Sequence, residues 1–185
     1  MRIKADLIRA AVFFTAKKDP REYLTGFHIT SKHIEATNGH IAVQIKHESK
    51  RVKKGIYLIR GRIPAKSEYI EFIVRKDLNI VRFYDAFNVE LGVSGLDVID
   101  GVFPNLSEKV IKPLVKEPID NTETPRVNPD YIGLVGKAFC KGGHYKGIDL
   151  EFRGLNSAIV IKPVGSYMNE VYGNPVIIIM PMRKF

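Results

Sequence analysis

One cysteine, Cys140, stands in a chain of 185 residues. That excludes an internal disulfide framework and a zinc cluster built on thiolates. No segment approaches the ~20 consecutive apolar residues that a membrane-spanning helix needs. The opening Met1-Arg2-Ile3-Lys4-Ala5-Asp6 lacks the apolar core and small-residue cleavage site of a secretory signal. A reduced, soluble, cytoplasmic protein is expected. Catalytic signatures are missing too: there is no nucleophile elbow, phosphate loop or zincin helix. Nothing resembles a DNA recognition helix, a zinc finger or an aromatic RNA-binding motif, so sequence-specific readout is not expected.

Acid is scarce relative to base. Twenty Asp and Glu stand against 29 Lys and Arg, a net charge of +9 that asks for an acidic partner. Between Lys46 and Lys66 the chain carries Lys50, Arg51, Lys53, Lys54, Arg60 and Arg62, with Glu48 the lone acid. Such a run binds phosphates through point charges and counterion release, or serves as a solvated loop; the run itself leaves both open.

The apolar pattern divides the chain into units. Ile3, Leu7, Ala10, Ala11 and Phe14 share a helical face, and Asp19-Pro20 ends that segment. Strands are expected over 23–29, 33–37 and 40–47, with Asn38-Gly39 a tight-turn signal between the last two. Further strands are expected over 55–60, 69–76, 80–84 and 89–99. Residues 61–68 leave room for at most a turn or two of helix, given Pro64. Pro113, Pro118 and Pro125 mark the stretch from Pro104 to Pro125 as an extended linker. A second helix starts with Asn128 as N-cap and Pro129 at its first position. Its apolar face is Tyr131, Ile132, Val135, Ala138 and Phe139, and Gly142-Gly143 stops it. Strands over 147–153, 158–164 and 176–180 complete the pattern: a helix-plus-three-strands unit, clean at both ends and degenerate in the middle. The apolar run Val176-Ile-Ile-Ile-Met180 stops at Pro181, which cannot donate to a sheet ladder; Met180 and Met182 are soft side chains suited to lining a groove.

Four histidines, His28, His33, His40 and His47, invite a metal reading. Strand alternation and intervening turns separate them, and no cysteine or carboxylate completes a ligand set, so neither metal nor cofactor is expected. Asp97 and Asp100 fall on opposite faces of a strand. Cys140 reads as a small packed residue. An enzyme built on the histidine strands remains the alternative class; it predicts bound metal.

Four motifs occur in order: Tyr23-Leu-Thr-Gly-Phe-His-Ile29, Ala36-Thr-Asn-Gly-His-Ile-Ala42, Asp100-Gly-Val-Phe-Pro104 and Met180-Pro-Met-Arg183. Together they resemble the bacterial DNA polymerase III beta subunit, the replicative sliding clamp. The resemblance implies an α+β clamp fold of repeated helix-plus-three-strand units with antiparallel sheets. Residues 1–113 are similar to the clamp's middle domain, 114–125 form a linker, and 126–185 are similar to the second half of its last domain. It implies no catalysis. It implies a client pocket that accepts a short peptide with leucine and phenylalanine anchors, carried by polymerases or repair proteins.

Carried over by position, one wall of that pocket is Thr37, Gly39, His40 and Ile41, with Pro104 and Val110. The segment between those last two is one residue longer than in the family. The facing wall is Ile178, Met180, Pro181, Met182 and Arg183, with a contribution near Ser157 and Ile159. Asn38 stands where the family has Asp, Ile41 where it has Arg, and Lys184-Phe185 where it ends in Leu, so peptide preference is expected to differ. Clamp helices line the ring and face duplex DNA. The middle unit here lacks one, and Arg2, Arg9, Lys17 and Lys53 are the candidate DNA contacts. The expected role is a processivity accessory, binding duplex DNA without sequence preference as a homo-oligomer. The compact size suggests a phage or mobile-element origin. A decoy or antagonist that competes with a host clamp is the second reading.

Overall fold

The computed structural model describes residues 1–139 and 147–182. Its strands are β1 (Arg2–Lys4), β2 (Phe27–Ile29), β3 (His33–Thr37), β4 (Ile41–Lys46), β5 (Gly55–Ile59), β6 (Tyr69–Val74), β7 (Asn79–Tyr84), β8 (Glu90–Ile99), β9 (Gly147–Glu151), β10 (Ile159–Val164) and β11 (Val176–Ile179). They form one antiparallel sheet in the order β1-β6-β7-β8-β5-β2-β3-β4-β11-β10-β9. The long β8 joins its two parts, pairing β7 through Gly95 and β5 from Leu96 onward. Helices α1 (Ala5–Val12), α2 (Lys112–Lys116), α3 (Pro129–Phe139) and α4 (Ser166–Tyr172) complete the fold. No helix among the described residues is long and apolar enough to cross a membrane.

Strand alternation explains where the core sits. Ile41, Val43 and Ile45 of β4, Ile159 and Ile161 of β10, and Ile177 and Ile179 of β11 belong to the main core beneath α1 and α3. At the far end of α1, Phe14 lies 6.1 Å from Phe139 of α3, and Phe139 meets Tyr172 of α4 edge-on at 5.2 Å. The intervening residues Ala42, Val160 and Ile178 point to the opposite face, where they are also buried. A strand covered on both sides reads as an unbroken apolar run, which accounts for Val176-Ile-Ile-Ile179.

Several elements differ from expectation. Arg2–Lys4 is a strand, not the start of a helix: it finds an unfilled edge on β6, where Ile3 pairs with Ile70. Helix α1 ends at Val12, well before Pro20, and residues 22–24 form a 3-10 turn where a strand was expected. The linker reading of 104–125 gives way in its first half. Ser107–Ile111 forms a π-helical turn that runs into α2, because Leu106, Val110, Ile111 and Leu114 recur at helical spacing and bury against the sheet. The Lys112 amide bonds the Ser107 carbonyl five residues back, and this widening precedes Pro113, whose ring crowds an ordinary α-helical turn. Helix α4 occupies what reads as a loop, bracketed by Gly165 and the left-handed Gly173. The α3 start is as expected: the Asn128 Oδ1 accepts the Asp130 amide at 2.9 Å. Its expected Gly142-Gly143 stop, and Cys140, lie outside the described residues.

Candidate functional site

Two strands distant in sequence meet edge to edge at the centre of the site. In the β4–β11 ladder Ile41 faces Ile179, Ala42 faces Ile178, and Gln44 faces Val176. The ladder continues past β11, since the Met180 amide donates to the His40 carbonyl at 2.9 Å. The β3–β4 turn is thereby fixed beside Met180-Pro181-Met182.

That turn is built by its own side chains. Asn38 Oδ1 accepts the amides of His40 and Ile41, both at 3.0 Å. The buried Thr37 hydroxyl donates to the Ile41 carbonyl at 2.7 Å and accepts the Gly39 amide at 3.0 Å. Gly39 sits at φ +92°, a backbone region that favours glycine. The His40 ring stacks on Tyr131 of α3 at 6.1 Å. Beyond Met180, the Met182 amide bonds the Arg126 carbonyl at 2.7 Å. Met180 and Met182 are about half exposed, 48% and 53%.

The π turn and α2 lie over the outer face of this sheet. Leu114 packs on Ala158, Val160 and Ile178, while Leu106 and Phe103 pack with Ala42 and Ile56; Val110 and Ile111 touch both groups. The result is a sheet floor of Thr37, Ala42, Ile178 and Val160 in one cross-strand row, walled by a short helix.

Of the residues expected to line a pocket, Thr37, Gly39, His40, Met180, Pro181 and Met182 gather at one end of β3, β4 and β11. Ile178 and Val110 lie in the buried floor and wall, and Pro104 is exposed just before the wall. Ile41 is a correction. Its register partner is Ile179, so its side chain enters the helix-side core and is 1% exposed; Ala42 takes its place on the outer face. The same one-residue alternation replaces Ile159 by Ala158 and Val160. Ala42, Ala158, Val160, Ile111 and Leu114 were missed, although the 106–110–111–114 spacing was there to be read. Arg183 lies outside the described residues.

A polar row crosses the same face. His28, Glu35, Gln44 and Val176 are successive cross-strand neighbours on β2, β3, β4 and β11. Glu35 is 3% exposed. Its carboxylate accepts from His28 Nδ1 at 3.1 Å and Gln44 Nε2 at 2.7 Å. The Ser107 hydroxyl donates to it at 3.2 Å and accepts a second bond from Gln44 at 2.6 Å. Burial pushes the Glu35 carboxyl up, but the bonds from His28, Gln44 and Ser107 outweigh it and hold the group below the ordinary range.

The histidines serve separate contacts. His28 stacks on Phe103 at 4.9 Å beside Glu35, a carboxylate neighbour the sequence reading did not foresee. His47 Nε2 lies 3.0 Å from the Thr30 carbonyl. Among the described residues no group of three or more His, Cys, Asp or Glu could hold a metal ion.

The candidate DNA contacts lie apart. Arg2 stacks over Tyr69 and Tyr84, at 4.5 and 5.0 Å. Lys53 reaches the Val74 carbonyl at 3.4 Å, and Lys17 is exposed just beyond α1. Arg9 is engaged within the protein, bonding Asp6 at 2.6 Å and the carbonyls of Pro64, Ala65 and Ser67 at 2.6 to 3.2 Å. It thus satisfies the backbone of the segment where the second unit lacks its helix.

Solved structures of bacterial sliding clamps share this fold. The DNA polymerase III beta chain of Streptococcus pneumoniae superposes with a TM-score of 0.64 at 14% identity, covering 100% of this chain and 64% of that one. A putative beta subunit from Eubacterium rectale gives 0.62 at 11%, covering 100% and 65%. The sliding clamp of Bartonella birtlesii, solved bound to griselimycin, gives 0.60 at 14%, covering 99% and 66%. The match therefore spans about two thirds of those chains' length. Neither a protein-family model nor a curated protein matches the sequence. The fold is the sliding-clamp fold of DNA polymerase III beta subunits, α+β with an antiparallel sheet.

Proposed function

We propose that this chain is a sliding-clamp-like replication accessory that binds short client peptides of polymerases or repair proteins, without catalysis. The observation that carries the reading is the β4–β11 ladder. It brings the His40 turn and the Met180-Pro181-Met182 segment together, beside an apolar floor of Ala42 and Ile178. Flexible exposed methionines rimming a buried apolar floor suit a leucine or phenylalanine anchor. The net charge of +9 supports a second, sequence-independent affinity for duplex DNA. Oligomerisation and a cytoplasmic setting belong to the same reading.

The test is a fluorescence titration with a labelled clamp-binding peptide, run beside Met180→Ala and His40→Ala. Micromolar binding weakened by about tenfold in either variant is expected, as for loss of a central apolar or stacked contact. No binding by the folded wild-type protein overturns the reading.

One observation favours a variant of it. The segment from Gly61 to Glu68, where the second unit lacks its helix, is held by Arg9 instead, so the helix layer is interrupted. A decoy that competes with a host clamp for clients needs the peptide site but no closed ring. Retention on circular but not linearised DNA would count against the decoy; peptide binding with salt-sensitive DNA association on either topology supports it.

A further inference from the structure

The short helix that walls the outer face is tethered at two points. At its start Ser107 bonds Gln44 and Glu35. Just past its end the Glu117 carbonyl accepts from Arg153 Nε at 3.3 Å, and Arg153 is itself paired with Glu151 at 2.8 Å. Between these tethers Val110, Ile111 and Leu114 meet the sheet through apolar contact, which carries no directional preference.

Glu35 is the unusual member. A carboxylate on an apolar sheet face is expensive unless its lone pairs are filled. Here three donors from three different elements converge on it: His28 from β2, Gln44 from β4 and Ser107 from the wall. Gln44 closes the triangle by also donating to Ser107. Ser107 thus cannot move without leaving a buried carboxylate and a half-buried amide each short of a partner. The widened turn begins at Ser107, so the anchor point sits where the wall's geometry is set.

We propose that Glu35, acting with Gln44 through Ser107, is the positioning residue of the wall helix: it fixes the height of Val110 and Ile111 over Ala42 and Ile178, and with it the depth available to a peptide anchor. The second half of this statement rests on the peptide-site reading above; the first does not. None of the three side chains touches the peptide in this scheme. Their effect is carried by where the helix stands.

Two readouts separate the halves. Amide hydrogen exchange over 106–116 reports the helix whether or not any peptide binds, and peptide titration reports the pocket. Ser107→Ala removes the tether while leaving Glu35 bonded to His28 and Gln44, so the protein stays folded. Exchange over 106–116 should rise about tenfold, the scale for losing a bond to a charged group, with β4 and β11 unchanged. Peptide affinity should fall several-fold. Glu35→Gln, which keeps an acceptor for Ser107, should preserve slow exchange, whereas Glu35→Ala should not. Unchanged exchange in Ser107→Ala overturns the proposal, as does faster exchange with unaltered affinity for a peptide that binds wild type. Faster exchange in a protein whose wild type binds no peptide upholds the tether and removes the peptide-site reading.

Discussion

Ile178 lies directly across from Ala42 in the β4–β11 ladder, with both side chains on the sheet face away from the main core. A small residue opposite a large one leaves a shallow step in the floor, which Leu114 and Val110 overhang.

Truncating the large partner tests that floor. Ile178→Ala should lower unfolding free energy by about 2–5 kcal/mol through lost burial and a residual cavity. Val115→Ala, on the exposed side of α2, should stay within about 0.5 kcal/mol. Urea titrations of both variants decide it; equal effects would mean that α2 does not sit on Ile178.

Arg9 was a candidate for DNA, and its bonds assign it to the protein instead. Arg9→Met should cost about 2–3 kcal/mol by leaving the carbonyls of Pro64, Ala65 and Ser67 short of a donor. Lys17→Ala should leave stability unchanged. If Lys17 meets phosphate, its removal should weaken duplex binding about equally for all sequences and flatten the logarithmic salt slope by about 0.9. A stable Arg9→Met protein with lost DNA affinity would reverse this assignment.

Acid should weaken the fold in two steps. His33 is held below its ordinary 6.5, first by burial, with Lys32, Lys46 and His47 adding and Glu35 opposing. The folded state then binds fewer protons than the unfolded one, so stability drops as pH falls below 6.5 and levels off under the folded value. Glu35 is depressed below 4.5 in the folded state despite burial, so its contribution is present above that value and lost as pH falls through the folded value. Urea midpoints across pH should show both steps; His33→Gln should abolish the upper, and Glu35→Gln should shrink the lower, which Asp19, Asp120 and Glu151, also held low by their partners, share. A lower step of unchanged size in Glu35→Gln, or an upper step surviving His33→Gln, would refute the assignment.

Gly173 carries a steric demand. It adopts φ +60°, and a Cβ there would sit 2.1 Å from the Lys46 carbonyl oxygen. Gly173→Ala should destabilise by more than the ~1 kcal/mol of the left-handed conformation alone. The Lys46 amide, which donates to the Gly173 carbonyl at 3.1 Å, should lose exchange protection. A variant as stable as wild type would show that α4 is not docked on β4.

Much of this was legible in the sequence. The strand pattern from His33 to Ile99 followed from alternation and from Asn38-Gly39, and the α3 cap from Asn128-Pro129. What escaped was decided by partners far along the chain. Arg2–Lys4 became a strand because β6 offered an edge. The prolines at 113 and 118 masked the 106–110–111–114 spacing. Within the site, position in a motif located the turn and the methionines. It could not say which face Ile41 or Ile159 would take, since that depends on register. The Glu35 triangle joins three elements and has no signature in any one of them.

The β4–β11 ladder also dictates an order of events during synthesis. Residues 41–44 wait for residues 176–179, so β11 is made last among the described strands. Until it emerges from the ribosome, β4 stands paired with β3 on one side and bare on the other, with Ile41, Val43 and Ile45 along it. An unpaired apolar edge is a template for another chain. A chain halted before Val176 would hold that edge open to pairing with another chain, so the last described strand closes the fold against misassociation as well as completing the sheet.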